Sequence, residues 1–343
     1  MSAEQLAGLS DDLVLGAVLL YLAAMIGFAL ELAFGRARTN TGATALTVTE
    51  PGVKESVAAG SSMAAGSSMA AGSSVAARSS GGIGEGAEAG ATVAVSPPEP
   101  PSWAPKAGTV GLIFGWVGLA ANLGSVVTRG LAVGRWPWGN MYEFVVAICL
   151  AAVAAFLITQ LRSNVRFLGA FVMVTAALGL GFAVIWLHVQ AGPVVPALNS
   201  YWIAIHVSAA VIASGLFTVG GVSGILYLVR GEGFSRLPTR TDLERVAHRA
   251  IVLAFPVWTF AVIAGALWAD KAWGRYWGWD PKEIWAFITW IVYAGYLHAR
   301  ATAGWKGRAA TIVQLVAFAC LLFNLVGVNI FLGGLHSYAD VGG

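Results

Sequence analysis

At 343 residues, 57% of them hydrophobic and only 11% charged, with a mean hydropathy of +0.74, the chain is too apolar and too sparsely charged for a soluble globular domain. Its formal charge of +3 gives no indication of nucleic-acid binding. The two cysteines, Cys149 and Cys320, lie in apolar stretches and read as small core residues rather than a disulfide or metal pair.

The first apolar segment covers about 12–34, between Asp11 and Asp12 on one side and Arg36 and Arg38 on the other. It is long enough to cross a hydrocarbon core of roughly 30 Å as a helix. It is too long, and lacks the basic start, for an ordinary cleaved signal peptide. Residues 36–108 are rich in Ala, Gly, Ser and Pro, with the near-repeat GSSMAAGSSMAAGSSVAARSS and the run SPPEPP. They cannot bury enough apolar surface to offset their ordering entropy and read as a disordered cytoplasmic linker. Further spans are expected at 109–131, 140–160, 166–187, 202–229, 250–269, 283–299 and 309–333. A lipid-embedded backbone must satisfy its own hydrogen bonds, so these are helices. The expectation is an all-α, polytopic membrane protein of about eight transmembrane helices, with 109–343 as a seven-helix domain.

Basic residues orient such a chain. With the N-terminus outside, fifteen of the twenty Lys and Arg fall inside; the five outside are Arg129, Arg135, Lys271, Arg275 and Lys282. Leaving out the linker keeps the inner side twofold richer. Both termini and the loop at 268–290 are then extracytoplasmic.

Five histidines are sorted by that topology. His206 opens the fifth span, His336 follows the eighth, and His188 ends the fourth, all at the outer boundary. His248 falls in the basic inner loop. His298 lies fifteen residues beyond Glu283, about 22 Å deeper at helical rise, with no second histidine evident at that depth. Singly, each reads first as an interfacial residue. As a group, His206 and His336 flank the most unusual loop in the chain and can offer opposite axial ligands to one haem iron. An ionisable side chain within a span, such as His298, is itself a functional candidate.

That loop, WADKAWGRYWGWDPKEIWAFITW at 268–290, holds six tryptophans, at 268, 273, 277, 279, 285 and 290. An interfacial aromatic belt explains scattered tryptophans. It does not explain a dense cluster broken by glycines and closed by Asp280 and Pro281, which together cap and begin a helix. A flat aromatic platform with hydrogen-bonding edges suits a large planar ligand such as haem. Arg275, Lys282, Arg129 and Arg135 are the outer cations available to haem propionates, unless they are solvated loop charges.

WGRYWGWDPKE resembles the WWD signature of the haem-handling protein superfamily. NMYEF at 140–144, PALNSYWIAIHV at 196–207, ITWIVYAGYLHAR at 288–300 and GVNIFLGGLHSYA at 327–339 narrow the resemblance to the CcsA/ResC family of System II cytochrome c biogenesis proteins. The resemblance covers about 109–340. It excludes the linker and departs at Ile284, where threonine is commoner. It implies that His206 and His336 ligate haem iron at the outer face and are the catalytic pair. It implies that Trp273, Trp277, Trp279 and Asp280 belong to the haem site, and that His298 holds haem in passage.

The implied activity is that of a holocytochrome c synthase (haem lyase) subunit in a bacterial plasma membrane. Haem b is carried or received, then presented for thioether attachment to Cys-x-x-Cys-His motifs of apocytochrome c. The implied partners are a CcsB/ResB-type membrane protein, apocytochrome c and thioredoxin-like thiol reductants. Holding haem and thiols in register supplies the proximity this addition needs. A rival reading is a membrane cytochrome that retains its haem and passes electrons. A third, a small-solute transporter, would need a discontinuous helix, hinted at only by Pro256.

Overall fold

The structure, a computed structural model, describes residues 1–35, 101–194, 198, 200–230 and 237–336. The chain divides into a helical unit, Met1–Thr39 with Glu99–Gly343, and a second unit, Asn40–Pro98. The second unit, and with it nearly all of the expected linker, lies outside the described residues.

The described residues form helices and no strands. Eight helices are long: α1 (Ala3–Phe34), α2 (Ala104–Val133), α3 (Met141–Arg162), α4 (Gly169–Trp186), α5 (Tyr201–Val229), α6 (Arg240–Trp273), α7 (Pro281–Thr302) and α8 (Gly307–Leu322). A π-helical turn, Phe323–Gly327, joins α8 to the short α9 (Val328–Phe331). Seven segments are long and apolar enough to cross a membrane, α8 counting with its extension to Phe331. The protein is polytopic and all-helical. α7 falls short of that criterion on composition, because Lys282, Glu283 and Arg300 at its ends, with Trp285, Trp290, Tyr293, Tyr296 and His298 along it, interrupt an otherwise apolar run.

Helix starts follow their caps. Ser2 and Gln5 form a capping box on α1, and the side chains of Asn140, Ser200 and Thr239 accept the first backbone N–H groups of α3, α5 and α6. Pro105 sits in the first turn of α2, which therefore begins at Ala104, inside the expected linker. α6 begins at Arg240, ten residues before its expected span, so His248 lies on a helix and not in a loop. Pro256 lies within α6 without dividing it.

Small residues let the backbones approach. A Cβ on Gly27 of α1 would lie 2.7 Å from the Ala107 carbonyl oxygen of α2, so these two helices run in near-backbone contact along one seam. One apolar cluster joins α1, α3 and α4 through Tyr21, Phe28, Phe156 and Met173. A second joins α5, α6, α7 and α8 through Phe217, Trp258, Tyr293 and Leu321. A third, smaller cluster of Ala147, Ile203, Val207, Val211 and Trp268 lies where α3, α5 and α6 meet, and it floors the site described next. Cys149 is buried and Cys320 partly so; both are free thiols.

Candidate functional site

The end of the bundle that carries the tryptophan-rich segment opens into a cleft of about 1120 Å³, its mouth included. Its walls come from the start of α3, the N-terminal half of α5, the C-terminal half of α6, the first turns of α7, the π turn and the segment after α9. The lining is mostly apolar: Trp138, Phe144, Trp258, Trp268, Trp273 and Trp277 stand among alanines and valines. The ionisable groups on it are His206, His336, Lys282, Glu283 and the Tyr276 phenol.

His206 projects from the second turn of α5, and its Nδ1 lies 2.8 Å from the carbonyl oxygen of Ala261 on α6. A carbonyl only accepts, so Nδ1 carries the proton and Nε2 keeps a lone pair. Gly265 makes the approach of α6 possible, since a Cβ there would lie 2.7 Å from the His206 ring. His336 is arranged the same way by a different partner. Its Nδ1 lies 2.7 Å from Asp280 Oδ2, a carboxylate–imidazole pair of the kind that orients metal-binding histidines.

Asp280 is the structural hinge of the site. It caps α7 in a reciprocal box with Glu283, and its Oδ1 also accepts the Leu335 N–H at 2.7 Å. Burial acts to raise its carboxyl, but the hydrogen bonds from His336, Leu335 and the Lys282 N–H outweigh burial and hold it below the usual carboxylate range. Glu283 is occupied by the N–H groups of Gly278 (2.8 Å) and Asp280 (3.0 Å), which folds the 274–280 loop over the head of α7.

Trp268 stands between the histidines. Its ring lies parallel to His206, 5° between planes and 6.2 Å between centroids, and 5.7 Å from His336. Trp273 meets the His336 ring edge-on at 4.9 Å. Two buried polar atoms on the wall have no hydrogen-bond partner among the described residues, Trp138 Nε1 and Asn324 Oδ1. Asn324 belongs to the π turn, a local irregularity often found at functional sites.

The structure therefore brings together His206, His336, Trp273 and Trp277, with Asp280 behind His336. Trp279 is not on the cleft: it is 64% exposed, at a positive φ of 58°. His298 is exposed on α7, toward the opposite end of that helix. His248, expected in a loop, is half-buried on α6 and 3.4 Å from the Tyr296 hydroxyl, so a second histidine does lie near the depth of His298. Sequence reasoning overlooked Trp268 as a cleft residue, the Ala261 carbonyl and the π turn.

Arg129 and Arg135, expected to be open to an anionic ligand, are engaged elsewhere. Arg129 is 2% exposed and pairs with Glu143 at 3.2 Å and Asp11 at 3.6 Å. Arg135 pairs with the other Glu143 oxygen at 2.9 Å. Asn140 positions that glutamate by capping α3. The NMYEF segment thus ties the ends of α1, α2 and α3 together.

Two imidazoles with fixed tautomers on an aromatic-walled cleft complement a metal whose remaining positions are filled by a planar ligand. Residues 138–336, which span the whole cleft, match the Cytochrome C assembly protein family, and the chain belongs to it. The cytochrome c biogenesis protein CcsA of Synechococcus elongatus is 34% identical over 290 residues, covering 68% of this chain and 87% of its own. That of Synechocystis is 33% identical, covering 72% and 91%. That of Chlamydomonas reinhardtii is 37% identical, covering 60% and 61%.

Proposed function

We propose that this protein acts in cytochrome c biogenesis, receiving haem b or carrying it across the membrane and presenting it at the outer face for attachment to apocytochrome c. The observation that carries the reading is the matched state of the two cleft imidazoles. Each has Nδ1 tied to an acceptor, Ala261 O or Asp280, and Nε2 left as a metal ligand. The orphaned Trp138 and Asn324 polar atoms further support a cleft built for a ligand.

In this reading haem is cargo. His206 and His336 hold its iron, Trp268 and Trp273 pack beside the imidazoles, and Asp280 fixes His336. Each Cys thiol of a Cys-x-x-Cys-His segment adds across a haem vinyl group: sulfur bonds one carbon, the thiol hydrogen goes to the other, and no electrons are lost. The protein's share is proximity and orientation, and thiol-reducing, thioredoxin-like proteins keep the cysteines available. The cleft end faces outward, in keeping with the distribution of basic residues, in the plasma membrane of a bacterium, with α7 counted as a span beside the seven others to make eight.

His298 serves at the other end. With Phe287, Ile291 and Gly295 it lies on one exposed face of α7, and an imidazole turned to lipid is costly. A CcsB/ResB-type partner covers this face and completes the haem-holding site there, which makes the protein one subunit of a haem lyase.

The test is the visible spectrum of the detergent-purified complex carrying His206→Gly, His336→Gly or His298→Gly, with and without imidazole. Haem lost in the variants and restored by imidazole supports the assignments. A haem signal indifferent to all three changes overturns them in favour of a haem-retaining electron carrier.

A further inference from the structure

A cleft that holds haem must also deal with its two carboxylates, and the structure sorts the cations available to do so. Arg129 and Arg135 are consumed by Glu143. Arg275 is exposed and folds back on its own loop, where a Cβ on Gly278 would lie 2.0 Å from its guanidinium carbon. Lys282 lies on the cleft wall itself.

The surroundings of Lys282 are unusual for a lysine. Its ammonium donates to Asn329 Oδ1 at 2.8 Å, and among the described residues no carboxylate lies within ion-pair distance of it. The two acidic side chains nearest in sequence are already engaged, Asp280 by His336 and the Leu335 N–H, Glu283 by the N–H groups of Gly278 and Asp280. Asn329 is itself fixed, its Nδ2 bonded to the Leu325 carbonyl and to Met141 Sδ, so its oxygen is held toward the ammonium. An ammonium has three donors, and burial in an apolar cleft penalises this one by more than the nearby Asp280 charge offsets. Trp138 Nε1, unpaired among the described residues, is another donor on the same cleft. The acceptor Asn324 Oδ1 would not serve an anion.

We propose that Lys282, propped by Asn329, is the carboxylate-binding residue of the cleft and takes one haem propionate. This rests on the haem reading above. With iron held on an axis by two imidazoles, one off-axis carboxylate contact fixes the rotation of the macrocycle, and so which edge carries its vinyl groups to the mouth. Lys282 is thereby a positioning residue for the attachment step.

The experiment titrates haemin and haemin dimethyl ester into the full-length, detergent-purified protein, following Soret absorbance and tryptophan quenching. Wild type should bind the acid on the order of tenfold more tightly than the ester, the size of one charge-assisted hydrogen bond. Lys282→Gln should abolish that preference while keeping the bis-imidazole spectrum, and Lys282→Arg should keep it. An undiminished preference in Lys282→Gln overturns the proposal. If Lys282→Gln does not fold, Asn329→Leu replaces it: a reduced preference supports the proposal, an undiminished one overturns it. Haemin binding that is indifferent to His206→Gly and His336→Gly instead overturns the cleft reading itself, which makes the two failures distinguishable.

Discussion

The two ends of the long helices use the same residue type in opposite ways. At the cleft end, His206 and His336 are each gripped through Nδ1, which leaves Nε2 as the ring nitrogen without that partner. At the basic end, His298 is exposed on a helix face, with no hydrogen bond to its ring among the described residues, while His248 shares a contact with Tyr296 beside the Arg300–Glu244 ion pair. One end is preorganised within a single chain; the other is open on the side where a partner would stand. The comparison teaches that a ligand's readiness is read from the atom behind it.

The strongest way to break this contrast is to remove both cleft imidazoles. His206→Gly with His336→Gly should abolish the bis-imidazole Soret signal of the purified chain, whereas His298→Gly alone should leave haem binding at the cleft unchanged in a direct titration. Next in size, Glu143→Gln leaves the buried Arg129 without its nearest counter-charge and should cost about 3–5 kcal/mol of stability, the usual penalty for breaking a buried pair. Thermal unfolding in detergent measures it, and the folded fraction should still bind haem. Asp280→Asn removes the carboxylate behind His336 and should weaken haem binding by about 10–100-fold, read by titration with the His206 contact intact. Gly265→Ala pushes on the His206 ring and should cost about 1–3 kcal/mol, seen as a lower melting temperature and a displaced Soret band. Trp279→Ala, at an exposed position off the cleft, should change haem affinity least of all.

Much of this was legible in the sequence because lipid imposes simple rules. Apolar runs near 20 residues mark the spans, and Asp280, Pro281 and Glu283 announce the start of α7. The boundaries of α2 and α6 were missed because Pro105 and the charged stretch at 240–249 look like linker and loop, although both are permitted in the first turns of a helix. Trp273 and Trp279 carry the same letter, yet only a folded loop shows that one meets His336 and the other faces outward. Likewise Arg129, Arg135 and Lys282 are alike as cations; what separates them is Glu143, which claims two and leaves the third. The Ala261 carbonyl has no side-chain signature at all, so the group that sets the His206 tautomer was invisible until α5 and α6 were packed.

His336 reaches Asp280 across 56 residues and completes a cleft whose other imidazole lies far earlier, on α5. During synthesis His206 therefore enters the membrane well before its counterpart exists. In the haem reading proposed above, a nascent chain offers only one of the two cleft imidazoles until translation has passed residue 336, so the order of the chain delays two-handed capture of the cargo until the cleft is complete.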